Sequence, residues 1–506
     1  MFKLLEFCVF LIWLAALIHI VKLYSFPFFI SLGFCLGIGL WDLLPNFQGA
    51  LLLVLAIVLT TFFLVLLQQL KTGWLRTLAF SFFLCLSLYI ATGTGFLQGR
   101  MSIGIVASIF QTNSNEAFEF FSVIQPKFLI YSFVLFAATV FYFYLYKPAY
   151  TVKFKKPFVL FLIVFNLLNL FLIQTVKAVV KYKNEENILY EANDFTPDWG
   201  IKEVKYSYDN QVFIIGESVQ RDHLSLYGSE HNTTPFLDKM PVTMVADYNS
   251  TSANTAMSLP RTLSYMDDEK NIHISMNVMT LAKQAKYNTL WISNQGFVGK
   301  NDTAISKTAI HADHRFFLKN GNYMSQSFDD EKMIAILTAQ LERYKDKKNI
   351  IFVHMMGSHP DACERLFDSP KLYPKQPEPI DCYLSSINKL DRFVQHIYQE
   401  LNKTKRSFNI TYFSDHGMSV TPDGIYVENE YKANYQVPFF VLSSDARQKN
   451  YLDKSISAYD FMNIYAGMIG VKTPYLDSQK TLDQIKSNDD ITVFDWQNYV
   501  KLKSLN

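Results

Sequence analysis

Apolar residues are spread so unevenly along this 506-residue chain that it must meet two different solvents. Hydrophobic side chains reach 50% and aromatics 16%, and most of that excess falls before position 178. Apolar runs at 4–22, 26–41, 49–68, 77–97, 128–146 and 157–177 mostly approach the ~20 residues that cross a bilayer as a helix. The run at 26–41 is short and holds Pro27 and several glycines. No small-residue cleavage site follows the first run and more apolar runs do, so it reads as an anchor rather than a signal peptide.

Lys and Arg set the orientation. The loop KPAYTVKFKK (147–156) carries Lys147, Lys153, Lys155 and Lys156, and KTGWLR carries Lys71 and Arg76. Both are expected on the cytoplasmic side, so 98–127 and everything after 177 face outward. Five spans are expected, with six as the alternative. The predicted organisation is a transmembrane domain over 1–177, a linker on the membrane surface over 178–210, and a soluble domain over 211–506. A formal net charge of +2 implies no strong polyanion partner, and no nucleic acid. Only Cys363 and Cys382 lie in the soluble half. A pair in an oxidising compartment reads as a disulfide; two free buried thiols are the alternative.

In the soluble half, QVFIIG (211–216), NTLWIS (288–293), NIIFVH (349–354), NITYFS (409–414) and QVPFFVL (436–442) are continuous short apolar runs. That pattern suits strands buried on both faces of a largely parallel sheet. Helical patterns lie between them; over 383–401, Tyr383, Ile387, Leu390, Val394, Ile397 and Leu401 share one face. The fold class is therefore a multispan α-helical membrane domain followed by an α/β domain.

In such sheets ligands sit outside the carboxyl ends of the strands. Glu217 follows the first run, His354 ends the third with His359 beyond it, and Asp415 and His416 follow the fourth. A Glu, Asp and His set suits a divalent metal such as zinc, with manganese the second choice. Each residue alone is more often a helix cap, a loop residue or a hydrogen-bonded histidine; the coincidence of three strand ends favours the metal. The hydroxyl-rich stretch STSANTAMSLP (250–260) then has a use beyond a solvated turn. A threonine at a helix start is activated by a metal, and helix N-terminal amides favour a phosphoryl group.

The motifs FIIGESVQRDHLSLYG, NTAMSLP, HMMGSHP and FSDHG, in this order behind a multispan anchor, resemble the bacterial phosphoethanolamine transferases of the alkaline phosphatase/sulfatase superfamily. That family includes lipid A-modifying enzymes that give polymyxin resistance. The resemblance implies Glu217, Thr255, Asp415 and His416 as metal ligands, with Thr255 also the nucleophile. It implies His354 and His359 beside the transferred phosphate, and the Cys363–Cys382 disulfide. It implies Glu116 and Glu119 of IFQTNSNEAFEFF (109–121) near the donor's amine, though acids on an interfacial helix are more often its wet face. Asn294, in WISNQGFVGKND (291–302), is expected to contact substrate; this segment is more like members that modify core sugars or glucans. A second metal is left open. Two departures stand out. Thr251 and Arg261 occupy positions where many lipid A-modifying members have cysteines, and Glu428, expected to contact substrate, lies near the place of a family histidine.

The expected reaction moves phosphoethanolamine from phosphatidylethanolamine to a lipopolysaccharide acceptor, core sugar before lipid A, with a periplasmic glucan as a further candidate. It passes through phosphoethanolamine–threonine, at the Gram-negative inner membrane with the catalytic domain in the periplasm. A phosphoglycerol transferase and a sulfatase-type hydrolase are the rivals, and a non-enzymatic scaffold is the last. A sulfatase needs a C/S-x-P-x-R motif, and in Ser258-Leu259-Pro260-Arg261 the arginine comes one position early.

Overall fold

The computed structural model describes residues 22–44, 47–69, 73–111, 124–146, 153–167, 170–191, 197–295, 308–318, 328–421, 424–477 and 480–506. The chain forms two compact units, one within Met1–Ser102 and Ile124–Lys181, the other within Ile103–Val123 and Tyr182–Asn506.

Two helices of the first unit, Phe47–Gln69 and Pro126–Tyr144, are long and apolar enough to cross a membrane. At 1.5 Å per residue the former spans ~35 Å. Lys156–Asn166 and Phe171–Lys183 make a third candidate if that pair, bent by 43°, is one span. Ser25–Gly37 and Phe80–Ala91 are apolar but shorter, and the run at 4–22 lies outside the described residues. On Pro126–Tyr144, Ile130, Phe133 and Val134 are exposed, as expected of side chains that face lipid. The chain is a membrane protein with a soluble C-terminal domain.

That domain is built on a nine-stranded sheet among the described residues. Its strands are β1 (Asn210–Gly216), β2 (Thr243–Asn249), β3 (Asn288–Ser293), β4 (His314–Phe317), β5 (Asn349–His354), β6 (Phe408–Ser414), β7 (Gln436–Val437), β8 (Phe439–Ser443) and β9 (Asn450–Ser457). They run in the order β7-β2-β8-β6-β1-β5-β3-β4, with β9 on β2. β1, β3, β4, β5 and β6 pair in parallel. The run at 436–442 differs from expectation. It breaks at Pro438, which has no N–H for a ladder, and β8 pairs antiparallel with both β6 and β2.

Every residue of β1 is buried, and its alternation divides the core. Val212 and Ile214 join one cluster with helices α3 (Lys332–Arg343) and α4 (Glu378–Lys403). Phe213 and Ile215 join the other with α1 (Thr255–Leu263), α2 (Val278–Gln284) and α5 (Phe461–Met468). The six apolar positions expected on α4 are all buried. With both faces covered, the polar residues that follow the parallel strands collect at one sheet end.

Candidate metal and phosphoryl-transfer site

Parallel register makes the site. Gly216 pairs with Ser414, and Ile215 with both Phe413 and His354, so Glu217 and Asp415 leave adjacent strands at one level, with His354 at the end of the third strand two positions earlier. Glu217, Asp415 and His416 are buried, and one ligand atom from each lies within 4.8 Å of the others. Ser218, between Glu217 and Val219, holds a left-handed φ of 61°. Its N–H donates to Asp415 Oδ1 at 3.0 Å and its hydroxyl to Glu217 Oε1 at 2.8 Å. Such backbone strain concentrates at functional sites.

Thr255 opens α1, where the Asn254 side chain caps the helix by accepting from Met257 N at 2.9 Å. The Thr255 hydroxyl donates to Asp415 Oδ2 at 2.6 Å and lies 3.2 and 3.4 Å from the Glu217 oxygens. The neighbouring hydroxyls have other work. Ser250, Thr251, Ser252 and Ser258 each donate to a backbone carbonyl, Ser258 to that of Asp415 at 2.6 Å. Thr255 is thus the hydroxyl of this stretch that faces both carboxylates.

The electrostatics suit a cation. Burial, then the charge of Asp415, raises the Glu217 pKa from 4.5 to about 7 against the pull of His416. Burial alone would lower His416, but Asp415 and Glu217 outweigh it and raise the imidazole to about 9. Two buried carboxylates forced together without enough positive charge form a site that a divalent ion neutralises. His416 Nδ1 contacts Gly417 O at 2.8 Å, which leaves Nε2 toward the carboxylates, the usual orientation of a ligating histidine. The donor set fits zinc or manganese.

His354 is buried, its Nε2 has no hydrogen-bond partner among the described residues, and burial lowers its pKa to about 4 against the pull of Asp415. His359 turns Nδ1 to Pro360 O at 2.6 Å; burial, then Arg365, lowers it to about 3. Both imidazoles are neutral near pH 7. Asn294 is fully buried and its amide donates to Phe328 O at 2.7 Å and Asp330 Oδ1 at 2.8 Å. Those bonds hold loops, a task that sequence reasoning did not give it. Glu428 is buried, and its N–H donates to Asn434 Oδ1 at 3.1 Å. Asn434 O in turn accepts from Gly417 N at 2.8 Å, beside His416. Glu116 and Glu119 lie outside the described residues. A disulfide joins Cys363 and Cys382. Arg261 packs its guanidinium 4.1 Å from the Phe494 ring centre and donates to Met257 O. Asn254 and Ser258 lie inside the NTAMSLP motif but were given no role from sequence, and Asp330, just before α3, lies in no recognised motif.

The sulfatase family model matches residues 209–471. Phosphoethanolamine transferase OpgE of Escherichia coli is 34% identical over 294 residues, 57% of this chain and 55% of that protein. A putative phosphoethanolamine transferase of Haemophilus influenzae is 33% identical over 347 residues, 65% of this chain and 71% of that protein. Two solved structures share the fold. The C-terminal periplasmic domain of Escherichia coli EptC in complex with Zn has a TM-score of 0.54 at 20% identity, over 60% of this chain and 96% of that one. The integral membrane lipooligosaccharide phosphoethanolamine transferase A of Neisseria meningitidis has 0.56 at 15%, over 90% and 97%. The match thus spans about half the length of OpgE and nearly all of the Neisseria structure. From its motifs, its sheet and these likenesses, the chain belongs to the sulfatase family, alongside relatives named as phosphoethanolamine transferases.

Proposed function

We propose that this protein is a metal-dependent transferase that moves phosphoethanolamine from phosphatidylethanolamine to a lipopolysaccharide acceptor, a core sugar before lipid A. The observation that carries the reading is the Thr255 hydroxyl at a helix N-terminus, 2.6 Å from Asp415 Oδ2 and beside Glu217. Glu217, Asp415, His416 and Thr255 would hold zinc. Bound there, the ion supplies a Lewis acid that favours the threonine alkoxide and offsets phosphoryl charge. With 1–177 in the inner membrane, a linker over 178–210 and 211–506 in the periplasm, the chain would draw its donor from the membrane that anchors it.

Thr255 Oγ1 gives its proton to Asp415 Oδ2 and attacks phosphorus. The bond from phosphorus to the diacylglycerol oxygen breaks, and that oxygen takes up the proton. Phosphoethanolamine is then esterified to Thr255. An acceptor hydroxyl attacks next; its proton returns to Thr255 Oγ1 as the threonine–phosphorus bond breaks. The α1 amides favour the anionic phosphoryl group. Neutral His354, whose Nε2 has no partner among the described residues, is suited to donate a hydrogen bond to its oxygens, whereas His359, with its Nδ1–H turned to Pro360 O, offers Nε2 as an acceptor. A sulfatase reading gains nothing from Arg261, which is engaged by Phe494 and Met257.

The test is mass spectrometry of the full chain incubated with phosphatidylethanolamine in detergent. A gain of one phosphoethanolamine on the peptide holding Thr255 is expected, and none in Thr255→Ala. An adduct that persists in that variant sinks the nucleophile assignment. An adduct formed only with phosphatidylglycerol transfers the reading to phosphoglycerol.

A further inference from the structure

Behind the carboxylate cluster lies a second buried acid that touches none of it. Asp330, just before α3, is 7% exposed. It accepts from three N–H groups: Met356 N at 2.9 Å, Gly357 N at 2.9 Å and Asn294 Nδ2 at 2.8 Å. Two of these belong to the loop that leaves β5 between His354 and His359. The loop also closes on Glu217. Ser358 N donates to Glu217 O at 3.0 Å, and Met355 N to Ile215 O at 3.0 Å. Gly357 has a φ of +52°, and a Cβ there would come within 3.0 Å of Glu217 N. The loop therefore presses on the Glu217 main chain with no slack. Neighbouring groups hold the acid's surroundings in place: Lys389 pairs with Asp329 at 2.9 Å and donates to Arg365 O at 2.8 Å.

We propose that Asp330 is a positioning residue: its carboxylate clamps the Met356–Gly357 turn, and the turn sets both the Glu217 main chain and the histidine-bearing loop at the metal site. A carboxylate suits the task because its two oxygens accept from several converging N–H donors at once. The amide of an asparagine would turn one N–H group toward donors. Asn294, expected as a substrate contact, also donates to Asp330 and so helps orient it. The proposal rests on the metal-site reading of Glu217, and partners this close behind a ligand typically govern metal affinity by 10–100-fold.

The experiment measures zinc affinity of the full chain in detergent by competition with a fluorescent chelator, together with thermal unfolding and steady-state transfer. Asp330→Asn is expected to weaken zinc binding 10–100-fold and to lower kcat, with KM for phosphatidylethanolamine within twofold. Gly357→Ala, which displaces the same turn, is expected to weaken zinc binding likewise and serves if Asp330→Asn does not fold. Asp391→Asn is the control. Asp391 is also buried and accepts from Phe236 N and Leu237 N, in a turn that carries no site residue. Zinc affinity unchanged in both loop variants, or weakened equally in Asp391→Asn, overturns the assignment. Because zinc alone is the probe, a wild type that binds zinc but transfers nothing refutes the transfer reading and leaves this one to be judged on affinity.

Discussion

Glu217 makes the metal-free protein sensitive to pH in a calculable direction. Its carboxyl is 1% exposed, and burial, followed by Asp415, holds its folded pKa at about 7 against 4.5 for a free group. The native state thus keeps this proton at pH values where the unfolded chain has lost it. The stabilisation is complete below pH 4.5 and is lost as pH rises through about 7, a change of about 3 kcal/mol. His416 works in the same direction. Its pKa is raised from 6.5 to about 9, so its contribution is full below pH 6.5 and lost as pH passes about 9. The two groups share one field, so their effects do not simply add. At about 2–4 °C per kcal/mol for a domain of a few hundred residues, Tm of the chelated full chain should fall by roughly 5–10 °C between pH 5 and 9. Glu217→Gln should flatten that slope, raise Tm above wild type at pH 8 in chelator, and abolish the rise that zinc gives wild type. The assay is thermal unfolding in detergent across pH, with chelator or with zinc. A wild-type Tm that is level or rising from pH 5 to 9, or an equal slope in Glu217→Gln, refutes the reasoning.

Three further outcomes are expected. Asn254→Ala removes the cap that accepts from Met257 N; it should cost about 1 kcal/mol and slow adduct formation at Thr255, read by denaturant unfolding and by mass spectrometry. Breaking the Cys363–Cys382 bridge, whose cysteines are 19 residues apart, by Cys363→Ser with Cys382→Ser should cost about 3 kcal/mol; thermal melts with and without reductant should then coincide for the variant alone. Phe213→Ala should cost about 3–5 kcal/mol, because Phe213 is fully buried and stacks on Phe352 with ring centres 4.9 Å apart. A cost under 1 kcal/mol would mean that β1 is not at the centre of the sheet.

Much of this architecture was readable locally. The four runs that became β1, β3, β5 and β6 are buried at every position because both faces are covered, and the unbroken apolar stretch inside each stands out without knowledge of its partners. α4 was visible because one side of it packs on the sheet and the spacing of its apolar residues reports that. β2, β4 and β9 were missed. Their burial is partial or alternates, so their composition resembles loops. The antiparallel placement of β8 was also hidden, since strand direction depends on where the chain returns and not on residue type. Pro438 offered a hint of the break before it.

The site divides in the same way. Glu217, Asp415 and His416 could be picked out because each follows a recognisable strand, and in a parallel sheet every strand end on that side meets the others. Thr255 among its neighbours could not be chosen from residue type, since Ser250, Thr251, Ser252 and Ser258 carry the same chemistry. The contact that singles it out joins residues 160 apart in the chain. Asn294 shows the converse: its place after a strand was legible, but the bond from its amide to Asp330 depends on a loop 36 residues away. Strand-forming runs and the two-solvent division are written in local composition, because burial of apolar surface acts on each segment by itself. Which hydroxyl meets which carboxylate is decided by packing across the sheet, because hydrogen bonds are directional and extend only about 3 Å.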